Sequence, residues 1–251
     1  MSLDRFSGIG WLLICMLPFF FIQIKLHKEV MAVCLLILRR EDSANLLFFL
    51  LFLPGIFLHE GSHWITAKLL KVPVGDFSIK PKMLKDGRIR LGYVETAPTD
   101  WFRDTLIGAA PIIFGMFLIA WIAIAKLNVY PSWQAFMDLD FKSLWGILKE
   151  IFNTPDFWVW FYIVFSISSM MLPSPSDRRA WLPIFVIVFV IIGVLLAAGA
   201  GSWMQTYLMP GVNSFLGGLA MCFWISLGMH LLLLPPLWLC KVILGRLFPL
   251  Y

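Results

Sequence analysis

Apolar residues fill this chain in long blocks separated by short polar clusters, and several blocks approach the ~20 residues a helix needs to cross a bilayer. Phe6–Ile24 reads as a first span, bounded by Arg5 and by Lys25, His27 and Lys28. No small-residue cleavage site follows it, so it reads as a retained span rather than a leader. Val30–Leu38 is too short to cross and reads as an interfacial helix or a shallow re-entrant piece. A second span covers residues 45–70, and a third lies within Trp101–Lys126. Residues 128–156 place apolar side chains at helical spacing between charges, as an amphipathic helix on the membrane surface does. Phe157–Leu172, Trp181–Ala198 and Phe215–Cys240 bring the expectation to about six spans.

Residues 74–95 depart from this pattern. They read as two short strands around a turn at Asp86-Gly87, with alternation through Arg88-Ile89-Arg90-Leu91 and with Pro81 confining the first strand to an edge. The expected fold is an all-α polytopic membrane protein of about six transmembrane helices with a short membrane-associated β-hairpin. No internal repeat or low-complexity linker divides it, so residues 1–251 read as a single integral membrane domain.

Composition agrees with that class. The 251 residues are 60% hydrophobic and 14% charged, against about 25% charged in soluble domains, and mean hydropathy is +0.85. The net charge of +5 sits between spans, a positive-inside excess rather than a nucleic-acid surface. Residues 68–90 carry seven Lys and Arg against two Asp, which assigns that segment to the cytoplasm. Six spans then leave both termini cytoplasmic, with the four basic residues between Lys25 and Arg40 on the outer side as the weak point of the scheme. Cys15, Cys34, Cys222 and Cys240 lie in or beside apolar blocks with no C-x-x-C spacing and read as small buried hydrophobes.

The chemistry concentrates in the second span, LLFFLLFLPGIFLHEGSHWITAKLLKV (Leu46–Val72). Helical residues i and i+4 share a face, so His59 and His63 can reach one ion, and Glu60 can act on a water bound to it. Ionisable groups inside an apolar span are costly and usually functional. The bland alternative has both imidazoles bonded to neighbouring helices and Glu60 set against a cation. A catalytic zinc takes three protein ligands and keeps one position open, so a third ligand must come from elsewhere. Among Asp76, Asp86, Glu95, Asp100, Asp104 and Asp177, only Asp177 follows directly from a span through a proline-broken turn, a type of backbone tolerated at membrane depth where it lines a polar cavity. A surface ion pair with Arg178 or Arg179 is the competing role for Asp177, and His230 is a lesser candidate ligand. In GAAPIIFG (Gly108–Gly115), small residues allow close helix approach and Pro111 frees a backbone carbonyl.

The run Phe57-Leu58-His59-Glu60-Gly61-Ser62-His63-Trp64, with Ala67 to Val74 and Phe77-Ser78-Ile79 after it, resembles the site-2 protease family of intramembrane zinc metalloproteases. The resemblance covers about Leu46 to Arg179. It implies zinc held by His59, His63 and Asp177, with Glu60 as general base. It also implies a short β-hairpin lying at the membrane; by its own residues that hairpin reads either as a plain basic surface or as an edge that pairs with an extended membrane protein or peptide substrate. The chain departs from the family's pattern at three places. Ser168, Ser169 and Met170 stand where an Asn is usual, Arg178 replaces the Gly after the Asp, and Phe114 ends the Gly-Pro-x-x-Asn-like run. These positions bear on substrate handling more than on metal binding. The alternative from another class is a non-catalytic, protease-like scaffold or subunit within a larger membrane complex. Under either reading the bilayer is a partner and nucleic acid is not.

Overall fold

The computed structural model describes residues 8–79, 82–83, 89–174, 176–178 and 181–247. Helices dominate. The first, α1 (Gly8–Leu38), runs unbroken for 31 residues, about 46 Å at 1.5 Å per residue. The expected break between a span ending at Ile24 and a separate Val30–Leu38 piece is therefore corrected. Charged residues do not interrupt a helix whose backbone bonds are internal, and here Glu29 is buried and paired with Lys241 Nζ at 2.6 Å.

The second expected span, residues 45–70, is two helices. α2 (Glu41–Leu51) and α3 (Leu53–Leu69) are bent by 73° about Phe52. Pro54 in the first turn of α3 has no N–H to give the Leu50 carbonyl, so it suits a helix start and removes one of the bonds that would hold the two helices straight. α3 ends at Leu69, and Lys71, with a φ of 57°, reverses the chain while Val72 N–H donates back to the Ala67 carbonyl.

The hairpin expected over 74–95 is present as two antiparallel ladders. β1 (Val74–Ser78) pairs with β4 (Tyr93–Thr96), and β2 (Lys82–Met83) pairs with β3 (Ile89–Arg90). The register runs Val74 to Thr96, Ser78 to Tyr93 and Lys82 to Arg90, with an irregularity between Val74 and Phe77. Pro81 and the expected Asp86-Gly87 turn lie outside the described residues.

α4 (Trp101–Ala125) follows, opened by Asp100, whose carboxylate accepts from the Phe102 and Arg103 amides. The single surface helix expected over 128–156 is two, α5 (Tyr130–Met137) and α6 (Phe141–Phe152). α5 turns Trp133 and Ser132 into the core beside Trp11. α6 alone keeps the amphipathic form, with Phe141, Trp145 and Phe152 exposed along one stripe.

α7 (Phe157–Met170) and α8 (Trp181–Ala197) are short apolar helices. The last helix, α9 (Gly201–Leu247), contains one π-helical turn at Met204–Leu208 and extends well beyond the expected Phe215–Cys240. Among the described residues, three helices (α1, α4 and α9) are long and apolar enough to cross a membrane, or four if the bent α2–α3 pair is one span. The chain is a mostly helical, multi-pass type in this coarser sense. α8 shows why the surface belongs in lipid: Leu182, Val186, Ile187, Val188, Phe189 (80% exposed), Ile191 and Ile192 leave it apolar on every side.

Two packing units position the site. α3 and α7 run parallel, with Phe52 beside Phe165, Gly55 N–H donating to Ser166 Oγ at 2.9 Å, and His59 level with Met170. α4 runs antiparallel to α7, from Gly108 against the Asp177 backbone, through Gly115 against Met171, to Trp121 against Trp160. Separately, α1 and α9 lie side by side and parallel. Gly8 N–H donates to Asn213 Oδ1, Phe19 packs on Phe223, and Glu29 meets Lys241. Six alternating spans make the first and last antiparallel, so that scheme does not fit this packing. The cysteines behave as expected, with Cys15, Cys34 and Cys222 buried and Cys240 half-buried.

Candidate metal centre

α3 brings His59 and His63 one turn apart, and the turn after α7 brings Asp177 between them. His63 Nε2 lies 3.2 Å from His59 Nε2. Asp177 Oδ2 is 3.7 Å from His59 Nε2, and Oδ1 is 3.6 Å from His63 Nε2. Zinc bound tetrahedrally at 2.0–2.1 Å sets neighbouring ligand atoms about 3.3 Å apart. The three separations observed are close to that edge length.

The hydrogen bonds on the far side of each ring decide which nitrogens are available. His59 Nδ1 lies 2.7 Å from the Met170 carbonyl, and His63 Nδ1 lies 2.7 Å from the Ile107 carbonyl. A carbonyl only accepts, so both Nδ1 atoms carry a proton, and with each ring neutral both Nε2 atoms present lone pairs. Two such nitrogens and a carboxylate then converge with no proton to share between the rings. That arrangement is repulsive by itself and favourable around a cation, so the donor set fits a divalent metal such as zinc.

Each of the two carbonyls is available for a reason written in the backbone. Met170 ends α7, where the last carbonyls have no partner in the helix. Ile107 lies four residues before Pro111, which has no N–H to return to it.

Asp177 is held by its own turn. Its Oδ2 accepts from Ser174 N–H at 2.7 Å, and its N–H donates to Ser174 Oγ. Gly108 lets the Asp177 backbone sit directly against α4, since a Cβ there would run into the Asp177 carbonyl. The carboxylate faces the two histidines; Arg179 lies outside the described residues.

Glu60 lines the same cavity of about 770 Å³, together with Gln23, His27, Asp104, Ser169 and Ser174. The Leu91–Gly92 stretch ahead of β4 closes over Glu60, whose Cγ lies 2.7 Å from where a Cβ on Gly92 would stand. The hairpin therefore roofs the site. Gln23 is a site neighbour that sequence reasoning missed. It sits mid-helix in α1 and its Nε2 donates to the Ser169 carbonyl, and only a lone amide in an apolar run signalled it.

His230 is not part of the cluster, which corrects its candidacy as a ligand. Its ring is fully buried, with Nδ1 2.8 Å from the Ser226 carbonyl and Nε2 3.1 Å from Ser169 Oγ, so both nitrogens are occupied. Among the described residues, His59, His63 and Asp177 form the one group of His, Cys, Asp and Glu gathered closely enough to hold a metal. Compared with protein-family models, curated proteins and solved structures, the chain matches none.

Proposed function

We propose that the chain is an intramembrane zinc-dependent endopeptidase that hydrolyses peptide bonds of membrane-embedded or membrane-proximal substrates. The observation that supports this most is the pair of Nε2 lone pairs converging on Asp177, beside Glu60, in a polar cavity of an otherwise apolar chain. A structural zinc site closes its fourth position with a further Cys or His, and among the described residues none joins the group.

In this reading His59, His63 and Asp177 hold the metal. Zinc bound there would lower the pKa of its water to about 7 and polarise the scissile carbonyl. Glu60 would take the water's proton as the water oxygen adds to the carbonyl carbon, and would deliver it to the amide nitrogen as the C–N bond breaks. The Nδ1–H bonds to Met170 and Ile107 keep each imidazole in the Nε2-ligating tautomer. An extended substrate strand would lie along the hairpin that roofs Glu60.

The test separates binding from chemistry. Glu60→Gln should keep about one zinc per chain and abolish cleavage of co-expressed single-span proteins, because it removes the base and no ligand. His59→Ala, His63→Ala and Asp177→Asn should each lose zinc on dialysis against a weak chelator. Wild-type protein that binds zinc but cleaves nothing, at the level of Glu60→Gln, would favour the scaffold role within a membrane complex.

A further inference from the structure

We infer that Pro111 is a positioning residue for the metal centre, acting through the carbonyl it leaves unbonded. This rests on reading His59, His63 and Asp177 as metal ligands. α4 is helical from Trp101 to Ala125 with Pro111 buried in its interior. A proline there removes one N–H and ordinarily destabilises a helix. The carbonyl it abandons is that of Ile107, four residues earlier. That carbonyl would be a buried acceptor without a helical partner, and it is the atom that receives His63 Nδ1–H at 2.7 Å.

The bond has a directional consequence. A proton fixed on Nδ1 leaves Nε2 as the lone-pair donor and sets the ring plane so that Nε2 faces His59 and Asp177. An ordinary residue at 111 would supply an N–H that competes for the same carbonyl along the helix axis. The Ile107 oxygen would then divide its lone pairs between two donors, and the bond that orients His63 would weaken and turn toward the helix axis. The neighbouring Gly108 seats the Asp177 backbone on the next stretch of the same helix surface. One turn of α4 therefore orients one ligand through a missing N–H and admits another through a missing Cβ.

A positioning role and a packing role predict opposite signs. Pro111→Ala completes the helical bond, so the metal-free protein should be as thermally stable as wild type or more so. The same variant should bind one Co²⁺ about 10–100-fold more weakly, the usual effect of losing a ligand's outer partner, with shifted visible Co²⁺ absorption bands. Wild-type affinity and an unchanged spectrum in folded Pro111→Ala would overturn the inference. Replacing Pro111 by the ester-linked analogue of alanine, which has no N–H, should restore wild-type Co²⁺ binding. Binding as weak as that of the alanine variant would show that the N–H is not the cause, and this arm decides the matter if Pro111→Ala does not fold. Pro18→Ala in α1 serves as control and should leave Co²⁺ binding unchanged; weakening there to the same degree would mean a general effect of helix prolines and would also sink the idea. If wild-type protein takes up no Co²⁺ or Zn²⁺, the metal-site reading itself falls, and the role of Pro111 with it.

Discussion

His59, His63 and His230 all stand in apolar helices, and what separates them is the partner of the second ring nitrogen. In His59 and His63 one nitrogen donates to a carbonyl and the other faces the carboxylate of Asp177. In His230 both nitrogens are taken, and the ring stands about 5.1 Å from Phe19 and from Phe165. His230→Ala should therefore retain its full zinc content. It should lower stability by about 2–3 kcal/mol, since Ser169 Oγ loses its acceptor inside the core and a cavity opens. Zinc content and a thermal unfolding curve, read side by side with Asp177→Asn, check this: zinc lost from His230→Ala and kept by Asp177→Asn would reverse the two assignments. The i, i+4 spacing made the two converging histidines legible, and a proline-broken turn marked Asp177. Nothing local in the sequence told His230 apart, because its partners come from α7 and its own helix.

At the scale of elements, the apolar blocks located the helices, while prolines and tertiary partners set their ends. Pro54 breaks residues 45–70 into α2 and α3, whereas Pro111 is carried inside α4 with its freed carbonyl satisfied by His63. The start of α4 is set electrostatically. Hydrogen bonds from the Arg103 and Phe102 amides, with the Arg103 charge, hold the Asp100 carboxyl below its ordinary value of 3.8. A carboxyl depressed on folding contributes stability that is fully present above the unfolded value and disappears as pH falls through the lower, folded one. Exchange protection of the Phe102 and Arg103 amides should therefore persist to about pH 4 and fall on further acidification. In Asp100→Asn the acceptor remains but the charge does not, so this acid dependence should vanish; an unchanged acid profile in that variant would place the titrating group elsewhere.

Across the whole molecule, α1 and α9 form a parallel pair against which the α3–α4–α7 unit is set. If both cross the bilayer, they cross in one direction, and an odd number of crossings separates the two chain ends into opposite compartments. Tags on the amino and carboxyl termini should accordingly differ in protease accessibility in sealed, oriented vesicles. Tags protected together would show that α1 or α9 does not cross. Ser132, a natural choice for a surface cysteine between α4 and α6, is fully buried against the core, so Tyr130, half exposed, is the better labelling position for that loop.

The sequence alone determined the apolar class, the existence of most helices, the hairpin and the three candidate ligands, because each depends on local spacing or on bulk composition. It also placed Glu60, since a carboxylate beside the first histidine needs no distant partner to be noticed. Only the tertiary structure decided which ring nitrogens face Asp177, since the carbonyls of Met170 and Ile107 come from other helices. It alone joined the first span and the Val30–Leu38 piece into one helix, Gly8–Leu38, because the charge at Glu29 is tolerated through Lys241, more than two hundred residues away. The same cause hid the direction of α9: hydropathy marks that a segment is apolar, while its sense relative to α1 follows from which side chains meet, at Asn213, Phe223 and Lys241.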